Sequence, residues 1–191
     1  IQKFILNNVD NYNIFIIQAS LGKRSLPFLK NKIILLNKWS AHVVTEEKIA
    51  KEEFMKKNIK IPYQQFGSSN KFQYNQELNE YKLANKIIVP SKFAYKSFID
   101  EGFDPSKLKI IELAGFNSKN FYPTSHPTNK TFEILYVGRI TLNKGIAYLI
   151  ESFKKINIKN KRLRMFGIIE QDIKKYLKNI KLPDNIEILK P

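Results

Sequence analysis

The segment Ile134-Leu135-Tyr136-Val137-Gly138-Arg139-Ile140-Thr141-Leu142-Asn143-Lys144-Gly145 sets an arginine and a lysine on either side of a short loop. Arginine offers a planar fork that engages two oxygens at once, and lysine offers a mobile point charge. Together they suit a diphosphate. Arginine occurs only at positions 24, 139, 162 and 164, while lysine supplies nearly all the other cations, so an arginine here carries more information than a lysine would. Read locally, the two are also ordinary surface cations at a strand end, and that alternative stays open.

Elements must hold these side chains in place. Phe132 to Val137 is a short apolar run, which predicts a strand buried on both faces and ended by Gly138. From Lys144 onward, Ile146, Leu149, Ile150, Phe153 and Ile156 recur with a helical period. A second run from Leu163 ends at Phe166-Gly167 and completes a β-α-β unit. In open parallel sheets, ligands gather beyond the carboxyl ends of the strands, where helix N-termini present unpaired N–H groups to phosphate. Arg139 and Lys144 fall at that end.

Two common phosphate motifs do not fit. A Walker loop requires a glycine where Asn143 stands and a hydroxyl where Gly145 stands. A dinucleotide fingerprint requires glycines two apart, and those at 22, 67, 102, 115, 138, 145 and 167 never are. Hydride chemistry on a nicotinamide cofactor therefore has no support, and no cofactor is expected.

Composition narrows the classes further. With 191 residues, 43% of them hydrophobic, the chain can bury a core as one large or two small domains. No apolar run approaches the roughly 18 residues of a membrane helix, and no signal peptide is visible. There is no cysteine, which excludes disulfides and thiolate chemistry, and with only His42 and His126 no metal site is expected. The reading is a cytoplasmic protein. A net charge of +16 raises nucleic acid or an anionic membrane as partners. The excess is almost all lysine in a chain equally heavy in asparagine and isoleucine, which also reads as compositional bias.

Along the chain, strands are predicted at Ile14 to Gln18 and Ile33 to Leu36, with a short helix from Leu21 to Leu29 between them. Asn37-Lys38-Trp39-Ser40-Ala41-His42 follows the second strand, in the place where parallel sheets keep functional groups. Val43 to Lys57 carries Glu47/Lys51, Glu52/Lys56 and Glu53/Lys57 four apart, the pattern of a solvated helix. A polar loop, Pro62 to Asn70, could border a sugar, and a helix is predicted from Lys71 to Ala84. The strand Ile87 to Val89 leads to Ser91, a helix cap, with Gly102 as the stop and a further strand from Leu108 to Leu113. Ser118 to Lys130 has the composition of a linker and contains His126. The last helix, Glu170 to Ile180, has Ile173, Tyr176, Leu177 and Ile180 as its inner face, and the last strand is Ile186 to Leu189. Glu170 and Asp172 read as acids answering the helix dipole.

Val137-Gly138-Arg139, then Lys144-Gly145 after a strand and before an amphipathic helix, closely resembles the opening of the donor domain in group 1 (family 4) retaining glycosyltransferases of GT-B fold. Glu80 to Ser91, Glu101 to Leu108, and Gly115-Phe116-Asn117 with Phe121-Tyr122-Pro123 are similar, in order and spacing, to the end of the acceptor domain. The usual N-G-V-D is Ala114-Gly115-Phe116-Asn117 here, so no ligand contact is assigned there.

The resemblance implies an α/β fold of two Rossmann-like parallel-sheet domains, each only partly present. Residues 1–117 would be the C-terminal part of the acceptor domain, 118–130 the linker, and 131–191 the first part of the nucleotide-sugar domain. It implies that Gly138, Arg139 and Lys144 bind the donor diphosphate and that His42 faces the donor sugar and acceptor. The implied reaction moves a sugar from a nucleotide diphosphate sugar to a glycan or lipid-linked glycan, with retention and without a metal. An anionic membrane surface, at its inner face, would be the partner for the positive charge, and nucleic acid would not. A glycine-rich loop upstream and a paired-glutamate motif downstream are expected outside the chain, which alone is expected to be inactive. The alternatives are a non-catalytic nucleotide-sugar-binding module and a basic nucleic-acid or membrane-surface binder.

Overall fold

The computed structural model describes residues 2–22, 25–58, 71–112, 115, 119 and 131–189. The chain forms two compact units, Ile1–Ile49 with Tyr63–Phe116, and Ala50–Pro62 with Asn117–Pro191.

In the first unit the order is α1 (Gln2–Asn7), β1 (Ile14–Gln18), β2 (Ile33–Asn37), α2 (Val43–Lys56), α3 (Lys71–Leu83), β3 (Lys86–Val89), α4 (Lys92–Asp100) and β4 (Leu108–Ile110). From Ala50 on, α2 groups with the second unit. The strands pair in parallel in the order β1-β2-β3-β4, with Ile14 opposite Ile33 and Leu36 opposite Ile87. Parallel neighbours require crossovers, and helices supply those after β2 and β3. Phe15 and Ile17 of β1 and Ile34 and Leu36 of β2 point into a core with Leu26, Leu29, Val43, Tyr81, Ile87 and Phe98. Ile14, Ile16 and Ile33 face outward.

Local signals explain the boundaries. The Ser91 hydroxyl accepts the Ala94 N–H at 3.2 Å and caps α4, a bond worth about 1 kcal/mol. Beyond α4, Gly102 takes φ +80°, which any side chain would resist. Where a helix is expected over 21–29, the described residues form a single tight turn, Leu26–Phe28, with Pro27 inside it. Proline lacks the N–H that a longer helix needs.

The second unit contains β5 (Phe132–Val137), α5 (Ile146–Lys155), β6 (Lys161–Phe166), α6 (Gln171–Asn179) and β7 (Ile186–Leu189). The strands run parallel in the order β5-β6-β7. The strand expected to be buried on both faces is not. Leu135 and Val137 are each about two-thirds exposed: among the described residues β5 pairs with β6 alone, and the buried side chains lie on one face of the sheet. Leu163 and Met165 of β6 with Ile146, Ile150 and Phe153 of α5 and Ile173 of α6 fill that core. Register puts Glu133, Arg162, Arg164 and Glu187 on the other face, where they form ion pairs of 3.4 to 3.9 Å. Half-exposed pairs of this kind contribute about 0–1 kcal/mol each.

Both sheets are parallel and both units are α/β. The expected loop 62–70, Phe116, Asn117 and His126 lie outside the described residues. Among the described residues no helix is long and apolar enough to cross a membrane.

Candidate functional site

The carboxyl ends of β5 and β6 meet at two glycines. Gly138 donates its N–H to the Phe166 carbonyl at 3.0 Å, and Gly167 donates to Leu189 at 3.1 Å. A Cβ on Gly167 would lie 1.8 Å from the Gly138 carbonyl oxygen, so no side chain fits there. Beyond the glycines the two loops zip together. Ile140 N–H reaches the Ile168 carbonyl at 2.8 Å, and Glu170 N–H reaches the Ile140 carbonyl at 2.9 Å.

Arg139 and Lys144 project from this loop and both are exposed. Arg139 Nε lies 3.3 Å from Glu170 Oε1, which tethers the guanidinium. Lys144 does not open a continuous helix, as its place in the apolar period suggests. It ends a tight turn, Leu142–Lys144, and Gly145, at φ +73°, separates that turn from α5. The left-handed glycine lets the chain change direction between Lys144 and the helix. The Asp172 carboxylate closes the loop from below. Its Oδ2 accepts the Thr141 hydroxyl and, at 3.0 Å, the Leu142 N–H.

His42 sits elsewhere, in the first unit, and its side chain turns inward. It is 1% exposed, with ring centroids 5.0 Å from Tyr81, 4.9 Å from Phe98 and 5.3 Å from Phe103. Nδ1 accepts the Val44 N–H at 3.3 Å, and Nε2 is buried without a partner. Burial, seconded by the Lys38 charge and opposed by Glu77, pushes the imidazole down to about 4, so the ring is neutral at physiological pH. The rings of Tyr81, Phe98 and Phe103 thus enclose the imidazole.

A group that sequence reasoning passed over lies beside it. Lys38, just past β2, is 5% exposed and its Nζ is 2.8 Å from Glu77 Oε2 and 3.1 Å from Glu46 Oε2. Tyr81 and Ser20 donate their hydroxyls to Glu77. Burial pushes the Glu77 carboxyl up, and Lys38 with these two donors outweighs it, leaving it below the usual range. Ser20 holds φ +73°, and its N–H and that of Gly22 both donate to Glu80, at 2.6 and 2.9 Å. Burial raises Glu80 above the usual range. The available signal was weak. Gln76, Glu77 and Glu80 form the inner face of α3, so a search for apolar periodicity finds nothing there.

Of the predicted charge pairs on α2, Glu53 takes Lys56 at 2.7 Å, while Lys57 takes Glu151 at 2.9 Å within the second unit. Among the described residues no group of three or more histidines and carboxylates could hold a metal ion.

Neither a protein-family profile nor a curated protein matches the sequence. Solved structures do match its fold. The crystal structure of Anabaena Alr3699/HepE in complex with UDP-glucose aligns with a TM-score of 0.63 at 14% identity, over 98% of this chain and 50% of that one. The apo form of the lipopolysaccharide outer core galactosyltransferase WaaB aligns with a TM-score of 0.58 at 10% identity, over 98% of this chain and 46% of that one. The chain thus spans about half the length of these structures. Its two parallel-sheet units have the fold of parts of the paired Rossmann-like domains of the GT-B architecture.

Proposed function

We propose that this chain forms part of a glycosyltransferase that moves a sugar from a nucleotide diphosphate sugar to a carbohydrate or lipid-linked acceptor with retention of configuration. The observation that carries this is the loop after β5. There Arg139 and Lys144 stand exposed at the two ends of a pinned segment, at the carboxyl edge of a parallel sheet. Likeness of fold to a protein solved with UDP-glucose supports the donor class. In this reading residues 1–117 belong to the acceptor domain, 118–130 to a linker and 131–191 to the donor domain.

Gly138 keeps the backbone open beside the diphosphate, while Arg139 and Lys144 neutralise the charge that grows on it as the glycosidic bond breaks. A donor phosphate oxygen takes the proton of the acceptor hydroxyl. Preorganised donors of this kind each supply about 10² to 10³ in rate. His42, neutral and packed against Tyr81 just past β2, takes the catalytic place at the donor sugar and acceptor in this reading. The +16 charge is assigned to an anionic membrane face on the cytoplasmic side, where a lipid-linked acceptor would lie.

Turnover of UDP-glucose as the probe donor by a full-length protein that carries this chain, with the anomeric configuration of the product read by NMR, tests this reading. Arg139→Ala is expected to lower the rate by about 10² to 10³. An unchanged rate, or an inverted product, contradicts it.

A further inference from the structure

Asp172 is the second residue of α6, and acids there ordinarily face water and answer the helix dipole. This one is 2% exposed and reaches back across the sheet edge to the loop after β5. Oδ2 takes both the Thr141 hydroxyl and the Leu142 N–H, while Oδ1 is buried without a partner.

Thr141 stands at the head of the turn Leu142–Lys144, where a hydroxyl commonly caps the backbone, yet its side chain makes no capping bond. Asp172 caps the turn in its place, from another element. A buried carboxylate satisfied on only one oxygen is a costly cap, and a threonine capping its own turn would need no buried charge. What the arrangement adds is a charge-assisted tie between two loops.

That tie acts on one place. Ile140 is held on both sides by backbone bonds to Ile168 and Glu170, and Thr141 and Leu142 are held by Asp172. Residues 140–142 are therefore pinned, and Arg139 and Lys144 flank them.

We propose that Asp172 is a positioning residue for anion binding: by fixing Thr141 and Leu142 it sets the spacing between Arg139 and Lys144 before a diphosphate arrives. This rests on the donor-diphosphate reading of those two cations. The anion then meets a loop already ordered, and the ordering is not drawn from the binding energy.

Calorimetric titration of UDP into the intact protein tests it. Asp172→Ala and Thr141→Val should each weaken UDP binding about 10-fold or more, the scale typical of outer-shell partners. Thr141→Ser should bind like the unsubstituted protein, and amide exchange at 142–145 should quicken in ligand-free Asp172→Ala. In an Arg139→Ala/Lys144→Ala background, Asp172→Ala should have no further effect. Should Asp172→Ala not fold, Thr141→Val carries the same comparison. If Arg139→Ala weakens UDP binding while Asp172→Ala and Thr141→Val do not, this proposal alone is overturned. An equal further loss in the cation-free background overturns it too. If the unsubstituted protein binds no UDP, the donor reading fails and this proposal with it.

Discussion

The carbonyl oxygen of Gly138 occupies the space that a Cβ on Gly167 would need, 1.8 Å from its ideal position. This contact, at the ends of two neighbouring parallel strands, lets the loops beyond them zip and carry Arg139 and Glu170 side by side. It also fixes what can be changed there.

Gly167→Ala should therefore force the β5 and β6 ends apart. Overpacking of well-packed sites costs about 1–3 kcal/mol, and this contact is with backbone, which cannot rotate away. A loss at the upper end of that range is expected in urea denaturation. A change below 0.5 kcal/mol would mean the strand ends separate freely.

Lys38 and Glu77 form a buried pair inside the first unit. Removing one partner leaves a buried charge, so Lys38→Met or Glu77→Leu should each cost about 3–5 kcal/mol. Lys38→Met/Glu77→Leu should cost clearly less than the two singles together. A double-mutant cycle by denaturation measures the coupling, and strict additivity would contradict the pairing.

His42 predicts a pH dependence. Its imidazole is lowered to about 4 when folded, against about 6.5 unfolded, so the unfolded chain binds the proton more readily. The stability contribution is present in full above pH 6.5 and is lost as the pH falls from 6.5 to 4. The gap corresponds to at most about 3 kcal/mol. His42→Phe should flatten the stability profile in that window, and an unchanged slope would place the titration elsewhere.

Much of this fold is legible because apolar runs of four to six residues can hardly be anything but strands beside helices of clear period. Phe132 to Val137 shows the limit of that reasoning. The run names a strand, but the side chains carry no mark of how many neighbours the strand has. The inner face of α3 shows another limit, since Gln76, Glu77 and Glu80 are buried by bonds to Ser20, Gly22 and Lys38 that lie far away in sequence. Asp172 is the case closest to the site. At the second position of a helix it looks like a dipole partner, and only the approach of α6 to a loop 31 residues earlier gives it Thr141. His42 follows a strand end, as its place in sequence says, yet the surrounding Tyr81, Phe98 and Phe103 turn it inward.

Whether Arg139 and Lys144 hold a diphosphate is tested most directly by calorimetric titration of UDP into the unsubstituted protein and into Arg139→Ala. Charge-assisted bonds are worth about 1.5–3 kcal/mol, so the account predicts binding to the unsubstituted protein that weakens about 10- to 100-fold on substitution. Equal affinity in the two proteins, or no binding in either, would contradict it.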